Sequence, residues 1–156
     1  MSRRIKPQHG GIFASTPCLG IICGKTGSGK TYLLFHALLN GNLLDYNSLY
    51  IYTSTPDQPA YQFLKHGFAN NLSKAAISYL FDQYEEDDTI DMSVSEFCDA
   101  FRDESKMMER EKDSKVTVHL SSKALPMPES LDKTKKNLVI FDDTVNQKDQ
   151  SLQKEL

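Results

Sequence analysis

The apolar positions of this chain fall into short continuous runs separated by stretches with helical spacing. Cys18-Leu19-Gly20-Ile21-Ile22-Cys23 is almost wholly apolar between Pro17 and Gly24, the pattern of a buried parallel strand. From Lys30, the run Tyr32-Leu33-Leu34-Phe35-His36-Ala37-Leu38-Leu39 is apolar nearly all round and stops at Asn40-Gly41, which predicts a largely buried helix with a C-terminal stop. Ser48 to Thr55 is rich in β-branched and aromatic residues and ends at Pro56, so it reads as a second strand. Ser73 to Glu86 carries Ala76, Leu80 and Tyr84 at four-residue steps with Phe81 beside them, a helical spacing. Ser93 and Glu96 have the spacing of a capping box, and Val94, Phe97, Phe101 and Met108 form one side of a charged helix expected on the surface as far as about Lys112. Val116 to Leu120 is a third strand. Asn137-Leu138-Val139-Ile140-Phe141 is a fourth, running straight into Asp142-Asp143. Strand, helix, strand in this order predicts an α/β fold in three layers, α/β/α, around a mainly parallel sheet.

Length and composition limit the options. A chain of 156 residues with 39% hydrophobic content supports one core, so residues 18–156 are expected to form one domain behind a polar lead-in at 1–17 that holds Pro7, Pro17 and Gly10-Gly11. Eighteen Lys and Arg against 21 Asp and Glu leave a formal charge of −3, so any contact with nucleic acid has to be local rather than a property of the whole surface. Lys133, Lys135 and Lys136 are the basic cluster that such a contact would use, although short lysine runs in loops are commonly just solvated. Cys18, Cys23 and Cys98 are odd in number and lack metal-ligand spacing, which argues against a disulfide framework or zinc site. No apolar run approaches the ~18 residues that span a bilayer, and the N-terminus lacks a signal-type apolar stretch. A soluble, intracellular protein with no membrane partner is the expectation.

The chemistry concentrates at two places. Gly24-Lys25-Thr26-Gly27-Ser28-Gly29-Lys30-Thr31 satisfies G-x-x-x-x-G-K-(S/T) between a predicted strand and a predicted helix, the phosphate-binding pattern called Walker A. Glycines let the backbone close around phosphate oxygens, so that its N–H groups and the positive end of the next helix face the anion. Lys30 supplies a charge for the β- and γ-phosphates, and the Thr31 hydroxyl a ligand for Mg²⁺. At the end of the fourth strand, Asp142 matches Walker B and would hold Mg²⁺ through water. Asp143 stands where hydrolysing enzymes of this kind carry a carboxylate that orients the attacking water, usually a Glu. The alternative is a strand that ends in two solvated acids. Thr53, Ser54 or Thr55, at the end of the second strand, would lie on the same sheet edge.

The Gly-Lys-Thr-Gly-Ser-Gly-Lys-Thr loop, the Tyr-Ile-Tyr-Thr-Ser-Thr-Pro strand and Leu-Val-Ile-Phe-Asp-Asp together resemble the genome-packaging ATPases of large DNA viruses and Maverick/Polinton-type elements, within the FtsK/HerA group of P-loop ATPases. The resemblance covers about residues 18–145, and its specific part is the two Walker segments. It implies a P-loop NTPase that forms a homo-oligomeric ring and drives double-stranded DNA with ATP and Mg²⁺, in a host cell or virion. Lys30 and Asp143 would be catalytic, Gly24 to Thr31 would bind the nucleotide, and Thr31 and Asp142 would hold the metal. Such a core continues past Walker B with further strands, a polar sensor and usually an arginine acting across the ring. This chain ends at Leu156, so it is expected to be incomplete at its C-terminus, and Arg3, Arg4, Arg102 and Arg110 stand in no recognisable finger motif. Guanine-reading Asn/Thr-Lys-x-Asp is absent, which favours ATP. Two other readings stay open: a nucleoside or nucleotide kinase, which needs an arginine-bearing lid, and a nucleotide-binding fragment without turnover.

Overall fold

The computed structural model describes residues 9–11, 13, 18–41, 43–101, 115–123 and 128–143. Three strands, β1 (Ser48–Thr53), β2 (Thr117–Ser121) and β3 (Asn137–Asp142), form a parallel sheet in the order β2-β1-β3. With it are α1 (Lys30–Leu39), α2 (Pro59–Ala69), α3 (Lys74–Glu86) and α4 (Val94–Phe101), and, among the described residues, a 3₁₀ turn at Pro128–Ser130. The chain is thus α/β with a small open parallel sheet, as the alternation of element types predicts.

Register explains which side of the sheet is buried. Leu49 lies opposite Val118 and Leu138, and Ile51 opposite Leu120 and Ile140. Because side chains alternate across a strand, these six residues share one face, and all of them belong to or pack against the main hydrophobic cluster. The helices add Phe35, Leu38 and Leu39 from α1, Phe63, Leu64 and Phe68 from α2, Ile77, Leu80 and Phe81 from α3, and Val94, Phe97 and Cys98 from α4. Among the described residues the helices form one connected group, in which α2 touches α1, α3, α4 and β2. The opposite face of β1 pairs Tyr50 in a stack with His119 and sets Tyr52 edge-on to Phe141. Thr53 and Asp142 continue the core face to the C-terminal edge of the sheet, opposite one another in register.

Two elements depart from the sequence expectation. Residues Cys18–Cys23 are not a strand: the run is extended coil and exposed throughout, with Leu19 90% and Ile21 78% accessible. A buried parallel strand needs backbone partners beside it and cover on both faces. β1 gives one edge to β2 and the other to β3, and the run pairs with none of the three strands. Its helix follows suit. α1 buries Phe35, Leu38 and Leu39, while Tyr32 and Leu33 remain more than half exposed, so it is not the largely buried helix its composition predicts.

The second departure is α2, which is absent from the predicted elements. Pro59 stands in its first turn, where a missing N–H costs nothing. Ala60, Phe63, Leu64, Gly67 and Phe68 then make a buried stripe at helical spacing. Gly67 is there for contact: a Cβ on it would come 2.5 Å from Ile77 Cγ1 and 2.8 Å from Cδ1, so the backbone of α2 lies directly against the Ile77 side chain of α3. Other local signals behave as read. Ser73 caps α3 by accepting the Ala76 N–H at 3.1 Å. Ser93 and Glu96 form a reciprocal capping box, with Ser93 Oγ accepting from Glu96 N at 3.3 Å and Glu96 Oε2 accepting from Ser93 N at 2.9 Å. Val94 and Phe97 of that helix are buried, whereas Met108 and the stretch towards Lys112 lie outside the described residues.

Two measurements check this arrangement. Cys18 and Cys23 are exposed and Cys98 is buried, and burial, assisted by the charge of Asp99, pushes the Cys98 thiol up to about 11. A thiol reagent at pH 8 should therefore modify two cysteines at the rate of free thiols and the third only as the fold opens. Three slow cysteines would show Cys18–Cys23 in a buried strand instead. Separately, Gly67→Ala should lower the urea midpoint, because about 1–3 kcal/mol of overpacking against Ile77 exceeds the helix propensity gain of about 1 kcal/mol.

Candidate functional site

The Gly-rich segment forms a turn that enters α1 at Lys30. Its conformation needs small residues at particular places. A Cβ on Gly24 would meet the Ser28 side chain, so the first glycine gives room for the loop to fold onto itself. Gly29, the residue before the helix, has φ 84° and Gly27 has φ 77°, left-handed values that cost other residues about 1–2 kcal/mol each. The loop is closed by the Ser28 N–H donating to the Lys25 carbonyl at 3.1 Å. Lys25, Thr26 and Ser28 are exposed, as are the three glycines. Lys30 folds back over the loop, its ammonium donating to the carbonyls of Gly24 at 2.8 Å and Lys25 at 3.0 Å. The Lys30 ammonium therefore already sits over the turn, held by carbonyls from which an anion can draw it away.

Thr31 meets Asp142. The Thr31 hydroxyl donates to Asp142 Oδ2 at 3.2 Å across 111 positions of sequence. This contact joins the start of α1 to the C-terminal end of β3, and it brings together the two motifs read separately from the sequence. A third residue, Tyr61 of α2, donates its phenol hydroxyl to the same Oδ2. Tyr61 is 1% accessible. Burial first, then the hydrogen bond and charge of Asp142, push its phenol far above the ordinary range, while the hydroxyls of Thr31 and Thr53 pull the other way. Tyr61 is therefore a neutral donor at any working pH.

Thr53 is fully buried at the end of β1, and its Oγ1 accepts the Thr55 N–H at 3.2 Å. Ser54 instead donates to the carbonyl of Asp143 at 2.9 Å, which ties the ends of β1 and β3 together. Asp143 has φ 51° and is exposed, a left-handed residue of the kind that Asp adopts more readily than most. It turns the chain out of the strand immediately after Asp142. Of the basic cluster, Lys136 is engaged by Asp45 at 2.7 Å, and Lys133 and Lys135 lie exposed in the preceding turn. The four arginines lie outside the described residues.

The chain matches no family model, no curated protein and no solved structure. The chemistry of the site therefore has to be read from its own geometry. Thr31 and Asp142 offer oxygen donors, the kind that a hard cation such as Mg²⁺ takes while keeping several waters. Among the described residues no group of three or more His, Cys, Asp or Glu comes together. Nor is any helix of the described residues long and apolar enough to cross a membrane.

Tyr61 is the site residue that motif reading does not find. Its signal was present in the stripe of α2, but the stripe names a buried face and gives no hint that one of its members ends on a carboxylate. The pairing has a measurable consequence. Asp142→Ala leaves a buried phenol without its charged acceptor, which should cost about 1–3 kcal/mol in urea unfolding. Adding Tyr61→Phe to that variant should restore part of the loss, because no orphaned hydroxyl remains; additive losses would mean the two side chains are not coupled.

Proposed function

We propose that this chain is the nucleotide-binding part of a P-loop NTPase that binds Mg-ATP and uses its hydrolysis to move double-stranded DNA, in the manner of a packaging or translocating ATPase acting as a homo-oligomeric ring. The observation that carries the nucleotide half of this reading is the contact between Thr31 and Asp142. A Gly-rich turn alone is a common loop, and an acid at a strand end is commoner still. A motif whose last residue, Thr31, shares a hydrogen bond with that acid, at the C-terminal edge of a parallel sheet where such folds bind ligands, supports a two-part reading.

The residues divide the work by chemistry. Backbone N–H groups of Gly24 to Gly29 and the N-terminus of α1 face the phosphates. Lys30 exchanges its two loop carbonyls for β- and γ-phosphate oxygens, and its charge grows in value as negative charge moves during transfer. Thr31 and Asp142 would be the residues that hold Mg²⁺, and the ion would supply charge neutralisation for the phosphates. Asp143 accepts a proton from, and orients, the attacking water. Its place just beyond β3, with its carbonyl held by Ser54, supports that role by fixing the backbone from which the carboxylate extends. The choice of DNA as the polymer rests on the resemblance of the two motifs and the strand between them to packaging ATPases, with Lys133 and Lys135 as the exposed cations for a backbone contact.

The deciding experiment is Mg-ATP binding and phosphate release by the purified chain with and without double-stranded DNA. Binding should weaken by more than about ten-fold in Lys30→Ala, which removes charge-assisted bonds. Asp143→Asn should keep binding and lose turnover, and DNA should raise the wild-type rate. Binding without turnover in any sample would reduce the reading to a nucleotide-binding module. No binding would remove it altogether.

A further inference from the structure

Tyr61 makes more of the site than the two motifs describe. Its ring is buried in the core, where a phenylalanine would fill the same space, so packing accounts for the ring and leaves the hydroxyl to be explained. That hydroxyl is on Asp142 Oδ2, the oxygen that also accepts from Thr31. Among the described residues the side-chain hydrogen bonds to this carboxylate from Thr31 and Tyr61 both fall on Oδ2. Thr31, Asp142 and Thr53 come from α1, β3 and β1. Tyr61 brings in α2, a helix packed against the other helices and β2.

We propose that Tyr61 is a positioning residue for the metal half of the site, its hydroxyl clamping Oδ2 of Asp142 so that the carboxylate is held in one orientation relative to Thr31. The inference rests on the reading of Thr31 and Asp142 as the Mg²⁺ residues of a nucleotide site. Hydrogen-bond partners behind a metal-holding side chain fix its orientation, and losing one typically weakens metal affinity by about 10–100-fold. Two donors on a single oxygen, one from the helix that follows the loop and one from the buried core, suit such a clamp, because they fix the carboxylate from two different elements.

The test follows binding of a fluorescent ATP analogue by the full chain as free Mg²⁺ is varied, in wild type, Tyr61→Phe, Asp142→Asn and the double variant. Tyr61→Phe should require about ten-fold more Mg²⁺ for half-maximal binding and leave binding in EDTA unchanged. In the Asp142→Asn background it should have no further effect. An unchanged Mg²⁺ requirement in Tyr61→Phe, or an equal loss in EDTA, would overturn the inference while the nucleotide site stands. A wild type that binds no analogue at any Mg²⁺ concentration would overturn the site and the inference together. A second readout needs no variant. Tyr61 and Tyr46 both bury a donated hydroxyl proton, the latter on the Leu38 carbonyl at 2.6 Å, and such protons exchange slowly enough to be followed by NMR. Addition of Mg²⁺ and ATP should move the Tyr61 hydroxyl resonance and leave that of Tyr46 in place; two unmoved resonances would overturn the clamp.

Discussion

One carboxylate oxygen joins the parts of this protein that matter most to its chemistry. Oδ2 of Asp142 accepts from Thr31 at the start of α1 and from Tyr61 in α2, while its own strand is paired through β1 to the rest of the sheet. Hydrogen bonds to an ionised acceptor contribute more than neutral ones, and here they are shielded by a tyrosine with almost no solvent access. The loop, the sheet and the helical layer therefore share a fixed point. Any movement of the Gly-rich turn relative to β3 has to break or carry the Thr31 contact, whereas the Tyr61 contact keeps Asp142 referred to the core.

The sheet imposes the other main constraint. β1 is the central strand, so its backbone groups are satisfied on both sides, and its Leu49 and Ile51 sit between Val118, Leu120, Leu138 and Ile140 beneath the helices. Away from that centre, Leu19, Ile21 and Ile22 beside the loop, Tyr32 and Leu33 on α1, and half of Phe141 on β3 are accessible. These apolar side chains lie in the segments that carry the Gly-rich loop and the acidic strand end. The site is thus built on the rim of the core, with its glycine-rich half backed by α1 and its acidic half backed by the sheet.

Local readings held where the determining forces are local. The capping box at Ser93 and Glu96, the Ser73 cap and the strands at Ser48, Thr117 and Asn137 all depend on neighbours within a few residues or on periodicity. Readings that assumed a neighbour across the fold did not hold in the same way. Cys18–Cys23 has a strand's composition and no edge of β1 to pair with. The helix at Pro59–Ala69 is punctuated by Pro56, Pro59 and Gly67, which locally signal turns and breaks. Its apolar stripe gains stability only once Ile77 of α3 fills the space over Gly67.

The sequence by itself determined the alternation of helix and strand, the glycines that the turn at Gly24 to Gly29 requires, and the pair of acids that closes the last strand. These follow from backbone sterics and side-chain period, which act over a few residues. Tertiary structure alone decided that β1 would be central, that Cys18–Cys23 would lie outside the sheet, and that Tyr61 would share an oxygen with Thr31. Each of those is a choice of partner between distant segments, set by packing and by the need of buried polar groups to be satisfied, and the residues concerned carry no local mark of the partner they find.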